Sequence, residues 1–329
     1  MKKKSIFLVF GIVLLVFPHI LLGLVQTKLL FMINLVLIYS ILTISMNFLL
    51  AYTGQLSLGH GAFMAVGAYS STIFTQTLGL PLPFSIILAG MVTGLAGYLI
   101  GLPALRLKGH YLAIMTLCFG IIIPEAIPLW KSVTGGFIGL ESPKFHYFDF
   151  IFSYRSESTI PDGSAYYVCL IVLAAVCFFT SNLINSRTGR AFSALTGNES
   201  AAKSLGINVV RYKLLAFFYC AFFAGIAGAL YAHLIGYIEP DQFNFWMSVF
   251  PLLMMFMGGV GSNAGCIIGA FVIMLLPDLV TTFVAIPNMP YILLSLSLIL
   301  VLVFLPNGIV SSRPVVFISS ALPENRRSE

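Results

Sequence analysis

Charge is what this 329-residue sequence has least of. Asp, Glu, Lys and Arg make up 9 % of it, against about 25 % in a soluble domain. No charged side chain occurs from residue 29 to 105, and further uncharged runs cover 5–27, 109–124, 163–186, 214–238, 242–277 and 279–312. A helix crosses the roughly 30 Å apolar layer of a bilayer in about 20 residues. Each run therefore holds one or more spans, and a soluble or singly anchored protein is excluded. Other absences narrow the chemistry. The sequence has no Gly-Lys dipeptide and hence no phosphate-binding P-loop, and neither an HExxH zinc motif nor a GxSxG nucleophile elbow. An arginine array that could sense voltage is missing too, and Glu125 and Asp278, beside Pro124 and Pro277, lie toward span ends rather than at mid-membrane. An intramembrane enzyme or an ion-driven carrier would need groups that are not here. Any uphill transport must draw its energy from another subunit.

Hydrophobic residues make up 59 % of the chain, glycine alone contributes 29 residues, and mean hydropathy is +1.01. The net charge of +6 comes without a basic patch interleaved with aromatics, so it is no nucleic-acid signal. Cys118, Cys169, Cys177, Cys220 and Cys266 all lie in apolar segments and read as small core residues rather than disulfides or metal ligands. The expected fold is all-α and polytopic, a single membrane domain over 1–329. Glycine and proline divide it into about ten segments, near 5–25, 29–50, 61–79, 84–105, 109–128, 165–185, 214–236, 247–260, 266–284 and 290–306. The eighth is short and the third follows a glycine-rich break, so broken or re-entrant helices are expected there. The first segment is read as an uncleaved span rather than a signal peptide. Counting ten passes puts thirteen of the 17 Lys and Arg on one side, and both termini in the cytoplasm. Residues 129–164, with a Thr134-Gly135-Gly136 turn, form an outer loop. Residues 186–213 form a cytoplasmic loop of one or two short amphipathic helices, with Glu199 and Lys203 at i, i+4 and Gly206 as a helix stop.

Inside the membrane the unusual chemistry is the stretch LLAYTGQLSLGHGAF, where Gly54, Gly59 and Gly61 interrupt a helical pattern around Gln55, Ser57 and His60. Two readings are open. Broken helices in transporters aim half-helix N-termini at anionic substrate groups, whereas a capped turn at the inner surface would be structural. His60 likewise reads as a pathway residue or as a hydrogen-bonded packing histidine. A second glycine-rich stretch, MGGVGSNAGCIIGAF, aligns Gly258 with Gly54 and Gly265 with Gly61, and makes Ser262 and Asn263 the polar counterparts. Gly90, Gly94, Gly97 and Gly101 share one helix face, and Gly261, Gly265 and Gly269 repeat every four residues. Such faces let helix backbones approach closely in lipid.

Taken in order, Asn47–Tyr69 (NFLLAYTGQLSLGHGAFMAVGAY), Tyr111–Gly120 (YLAIMTLCFG), the Thr134–Gly136 turn, Thr188–Phe217, Ala224–Ala229 (AGIAGA), Glu239–Phe243 (EPDQF), Met257–Asp278 and FLPNGI at 304–309 resemble the LivM-type permease subunits of branched-chain amino-acid ABC importers. The resemblance implies a multi-pass subunit of the bacterial cytoplasmic (inner) membrane, paired with a homologous second permease subunit. It implies two cytoplasmic ATPase subunits and a substrate-binding protein as further partners, with the ATP used by those subunits and no cofactor in this chain. The 186–213 loop then becomes the ATPase-coupling segment. Ser200-Ala201-Ala202-Lys203-Ser204-Leu205-Gly206 matches the EAA-x-x-x-G pattern with Ser for Glu, and Glu199 supplies the charge one residue earlier. Where relatives place Glu after the FG of the fifth segment, this chain has Ile121. Similar permeases serve urea, short amides or other small solutes, and a stand-alone channel for a small neutral solute is the alternative from another class.

Overall fold

The structure is a computed structural model that describes residues 27–104, 110–145, 163–197 and 199–283, with short pieces between 295 and 310. The expected first span (5–25) lies outside the described residues, as do most of the tenth (290–306) and residues 146–162 of the outer loop. The helices are α1 (Thr27–Thr53), α2 (His60–Thr77), α3 (Leu82–Ala104), α4 (His110–Ala126), α5 (Lys131–Thr134), α6 (Gly163–Asn185), α7 (Arg187–Gly197), α8 (Glu199–Ser204), α9 (Val209–Ile235), α10 (Trp246–Gly258) and α11 (Asn263–Phe283). Two short strands, β1 (Leu140–Glu141) and β2 (Tyr237–Ile238), pair antiparallel with Leu140 opposite Ile238. Five helices among the described residues are long and apolar enough to cross a membrane: α1, α3, α4, α6 and α9. The segment ending in α10 and the start of α11 form a sixth candidate, bent by 116° at the break between them. The molecule is a helical membrane protein.

Burial decides the order of packing. Helices α1 and α9 form the centre, and nearly every side chain of α1 from Val36 to Leu50 is buried. The buried polar residues of α1 are hydroxyls bonded to backbone carbonyls, such as Ser40 to Val36 and Thr43 to Tyr39, and two asparagines, Asn34 and Asn47. Helices α4 and α6 lie at the periphery and expose broad apolar faces, including Tyr111, Ile114, Ile121, Ile171 and Phe178. With no apolar driving force between helices in lipid, contact depends on how closely backbones approach. All four glycines of α3 meet α9: an added Cβ would lie 2.9 Å from Ile226 at Gly90, from Phe218 at Gly94, from the Phe217 carbonyl oxygen at Gly97 and from Leu214 at Gly101. Helix α2 also reaches α9: a Cβ on Gly67 would meet the Gly225 backbone and one on Gly228 the Met64 backbone, while one on Gly225 would meet Thr93 of α3. Gly265 and Gly269 of α11 pack against the backbone of α10 at Gly258 and Met254.

The repeat of three glycines at four-residue spacing needs one correction. Gly261 is not on that helix face; it lies in the turn before α11 with φ +84°, a left-handed conformation that side chains disfavour. Its backbone is held by α1, with its N–H donating to Asn47 Oδ1 (2.7 Å) and its carbonyl accepting from the Tyr52 hydroxyl (3.0 Å).

Candidate functional site

Helix α1 ends at Thr53, where Gly54 turns the chain with φ +67°. The next five residues run without helix until α2 starts at His60. This start lies well inside the bundle. The His60 ring reaches Cys220 (Nε2 to Sγ, 3.2 Å), and Ser45 donates to the Cys220 carbonyl at 2.8 Å. Cys220 stands eleven residues into α9, about 16 Å at 1.5 Å per residue. Ser45 stands eight residues before the end of α1, about 12 Å. The chain therefore folds back between Gly54 and Gly59, and α2 begins near mid-depth as a partial span.

Irregular backbone at that depth needs its polar groups satisfied. Helix α4 supplies part of this. Leu58 N–H donates to Thr116 Oγ1 (3.0 Å), and a Cβ added at Gly59 would stand 2.9 Å from the Thr116 carbonyl oxygen. Gly120 returns the contact, 2.9 Å from the Leu58 carbonyl oxygen by the same measure. Gln55 accepts from Thr53 (3.3 Å), and Ser57 Oγ accepts from the Gly59 N–H (3.4 Å). No side chain caps α2 at Gly59, but Ser248 of α10 accepts from the Gly61 N–H at 2.8 Å. Gln55, Ser57 and His60 are thus brought together and buried. His60 Nδ1 makes no hydrogen bond of normal geometry, although the backbone of Ser57 lies beside it.

Ser262 and Asn263 stand apart from this group. Ser262 caps α11 by accepting from the Gly265 N–H (3.1 Å), and Asn263 donates to Thr180 of α6 (2.9 Å). No hydrogen bond joins either to Gln55, Ser57 or His60 among the described residues. The sequence missed Ser248, Thr116 and Asn47, polar residues in otherwise apolar stretches whose roles depend on which backbone lies opposite.

At the α1 C-terminal end lie α7 (Arg187–Gly197) and α8 (Glu199–Ser204). Helix α7 buries Gly189, Ala191, Phe192 and Leu195. Phe192 packs edge-on against Phe48 of α1 (5.5 Å between centroids) and against Tyr212 of α9 (5.9 Å). Thr196 lies beside Gly54: a Cβ there would be 3.7 Å from Thr196 Cγ2. Glu199 is not paired with Lys203. It forms its ion pair with Lys213 of α9 at 2.5 Å, because residue 213 comes back beside the start of α8. Ala202 is buried, while Ser200, Ala201, Lys203 and the large side chain of Leu205 (80 % exposed) face outward. Gly206 has φ +79° and closes α8 with paired bonds, Gly206 N–H to the Lys203 carbonyl and Ile207 N–H to the Ala202 carbonyl.

A bundle of apolar helices with a partial span begun at depth and an amphipathic pair at one end defines a class, the multi-pass transport permease. The family described as branched-chain amino acid transport system / permease component matches residues 28–302. The chain is 32 % identical to the high-affinity branched-chain amino acid transport permease LivM of Salmonella typhimurium over 305 residues, which covers 87 % of this chain and 71 % of that one. It is also 32 % identical to LivM of Escherichia coli over 294 residues (84 % and 68 %). To the permease LivH of E. coli it is 24 % identical over 290 residues (84 % and 92 %). No solved structure matches. The chain belongs to the branched-chain amino acid transport permease family.

Proposed function

We propose that this chain is one permease half of an ATP-driven importer that translocates branched-chain or related amino acids. It pairs with a homologous second permease subunit, and both kinds of relative, LivM and LivH, are similar to it. Two cytoplasmic ATPases supply the energy, a substrate-binding protein delivers the cargo, and the site of action is the bacterial cytoplasmic membrane. In this reading both termini are cytoplasmic and the chain crosses about ten times. Residues 129–164 then face outward and 186–213 inward.

The observation that carries the mechanism is the contact between α7 and the break. An ATPase engaged at α8, through Leu205 and the outward face of Ser200, Ala201 and Lys203, pushes on a helix pair fixed to α9 by Glu199 and Lys213. Helix α7 passes the motion to Phe48 and to Gly54, where the fold-back begins. The start of α2 carries about half a positive charge from its aligned peptides. In the closed arrangement Ser248 occupies one of its N–H groups. When the break opens, the substrate carboxylate takes that place, with Gln55, Ser57 and His60 around it. Recognition of the rest of the substrate falls to the binding protein, so the pathway needs few polar groups.

The test is Ala202→Glu together with Gly206→Glu. Ala202 is buried, so Glu there lifts α8 from its seat; Gly206 has open space around it but a left-handed backbone, which a side chain disfavours by about 1–2 kcal/mol. The expected result is loss of ATPase association and transport with normal membrane insertion. Unimpaired association and transport would overturn the coupling, and substrate flux through the purified chain alone in liposomes would favour a channel instead.

A further inference from the structure

Between β2 and α10 lies the stretch EPDQF, whose last four residues, Pro240–Phe243, form a 3-10 turn. Pro240 opens it, where a fixed φ suits the first helical position and a missing N–H costs nothing. Phe243 fixes the turn to the bundle. It is fully buried and sets its ring against Tyr69 of α2 (6.2 Å between centroids) and Tyr231 of α9 (6.0 Å).

Anchoring explains the rings but not the polar groups beside them. Tyr69 is 4 % exposed, and its hydroxyl has no hydrogen-bond partner among the described residues. Gln242 Oε1 is buried without a partner as well. A buried polar atom in this condition is costly to the folded chain and calls for a reason. Glu239 is half-buried and Asp241 exposed, so the turn opens toward water. Both carboxylates lie within electrostatic reach of the Tyr69 hydroxyl, and Glu239 also within reach of Tyr231. Among the described residues neither carboxylate has an ion-pair or hydrogen-bond partner, although Lys144 lays its side chain along Gly236.

The groups left over share one character. Carboxylates and an amide oxygen only accept hydrogen bonds, a phenol oxygen can accept, and aromatic faces carry negative charge density. Such a set repels carboxylates and phosphates, and a neutral amide would meet only part of it. An ammonium group meets all of it, with three N–H donors and a positive charge beside aromatic rings.

Deepening the importer reading above, on which it rests for the direction of travel, we infer that the Glu239–Phe243 turn, with Tyr69 and Tyr231, is the station that receives the substrate's ammonium group on entry. The cargo is then a zwitterionic amino acid rather than urea or a short amide. Its carboxylate is received elsewhere. Gly61, whose N–H donates to Ser248, lies eight residues before Tyr69 on α2, about 12 Å along the helix. The two charged groups of an amino acid sit on one carbon atom and cannot reach both places together. They are served in succession, the ammonium first at the turn and the carboxylate next at the start of α2. Phe243 and Ser248 belong to one short run of chain, with α10 beginning at Trp246 between them. Occupation of the turn is thereby linked to the hydroxyl that gives up the Gly61 N–H to the carboxylate.

The probe is isopentylamine, which carries the side chain and an ammonium group of leucine without its carboxylate. It is titrated against the purified chain in nanodiscs and followed by saturation-transfer NMR. Isopentyl alcohol, of the same shape but neutral, should bind at least tenfold more weakly. Glu239→Gln/Asp241→Asn should weaken amine binding about tenfold or more, and Tyr69→Phe about tenfold. Thermal unfolding of Tyr69→Phe should occur no earlier than that of the unmodified chain, because the hydroxyl has no partner to lose. Reduced stability with amine binding intact would make Tyr69 purely structural and overturn the inference. Absence of saturable amine binding, equal affinity for amine and alcohol, or a shift under twofold in both variants would overturn it too. So would displacement of the amine by sodium chloride as effectively as by equimolar leucine, which marks an inorganic-cation site. None of these outcomes touches the importer reading, which fails instead if the chain does not assemble with ATPases.

Discussion

Replacing Gly67 by Ala adds one carbon to a buried helix, and the structure says what that carbon meets. Gly67 of α2 faces Gly225 of α9, and a Cβ there would lie 2.5 Å from the Gly225 Cα and closer to its carbonyl oxygen. Carbon atoms in contact prefer about 3.5–4.0 Å, so the two backbones must separate by about 1 Å. Neither backbone has a side chain to rotate away. The separation also loosens the next contact along the pair, where Gly228 admits the Met64 carbonyl. A gap of 0.5–1 Å forfeits a quarter to a half of the dispersion energy of the atom pairs it opens, and overpacking of this kind costs about 1–3 kcal/mol.

At about 2 °C per kcal/mol for a chain of this size, thermal denaturation in detergent, followed by loss of the monodisperse peak, should begin about 2–6 °C lower. Gly197→Ala is the matched control: it is the last residue of α7, and nothing lies within 4 Å of its added Cβ. It should leave the midpoint within about 1 °C, since exposed substitutions rarely exceed about 0.5 kcal/mol. The reasoning fails if Gly67→Ala is as stable as the unmodified chain, or if Gly197→Ala is destabilised equally.

The ion pair at α8 can be tested by a double-mutant cycle with Glu199→Gln and Lys213→Met. Lys213 is 6 % exposed, but Glu199 is 38 % exposed and its charge is partly screened, so the coupling energy should be near 1 kcal/mol. ATPase binding titrations on the single and double variants measure it, and a coupling of zero would detach Glu199 from the positioning of α8. His233→Ala removes the group that joins Ser71, Ser142 and Pro143. Each polar group left unsatisfied costs about 1–3 kcal/mol, so amide exchange over residues 135–145 should accelerate while that of α10 does not. Equal protection in both proteins would place the stability of β1 and its preceding loop elsewhere.

Much of the helical layout was legible because the bilayer imposes one rule on every span. Uncharged runs between glycine and proline punctuation become helices, and the segments read near 29–50, 84–105 and 165–185 correspond to α1, α3 and α6. Capping was legible for a related reason: Gly206 ends α8 because only glycine is at ease there. What pattern could not supply was contact between distant segments. Glu199 has a good partner by helical spacing in Lys203, yet α9 brings Lys213 within 2.5 Å. Periodicity put Gly261 on a packing face with Gly265, because a four-residue spacing does not reveal that the helix starts only at Asn263.

The polar break shows the same limit more fully. Gln55, Ser57 and His60 stood out against an apolar background, and the sequence left open whether they formed a surface turn or the start of a buried half-helix. Depth decides between these, and depth is read from neighbours. His60 lies beside Cys220, well along α9, so the chain has re-entered the bundle before α2 begins. That is also why the partners of the break were not legible. Thr116 and Ser248 are small hydroxyls in largely apolar helices, and each matters because an unpaired N–H of the fold-back lies opposite. An apolar helix can carry such a group at little cost when the backbone opposite needs it. At the fold-back that need is met from two sides, by Thr116 of α4 and Ser248 of α10.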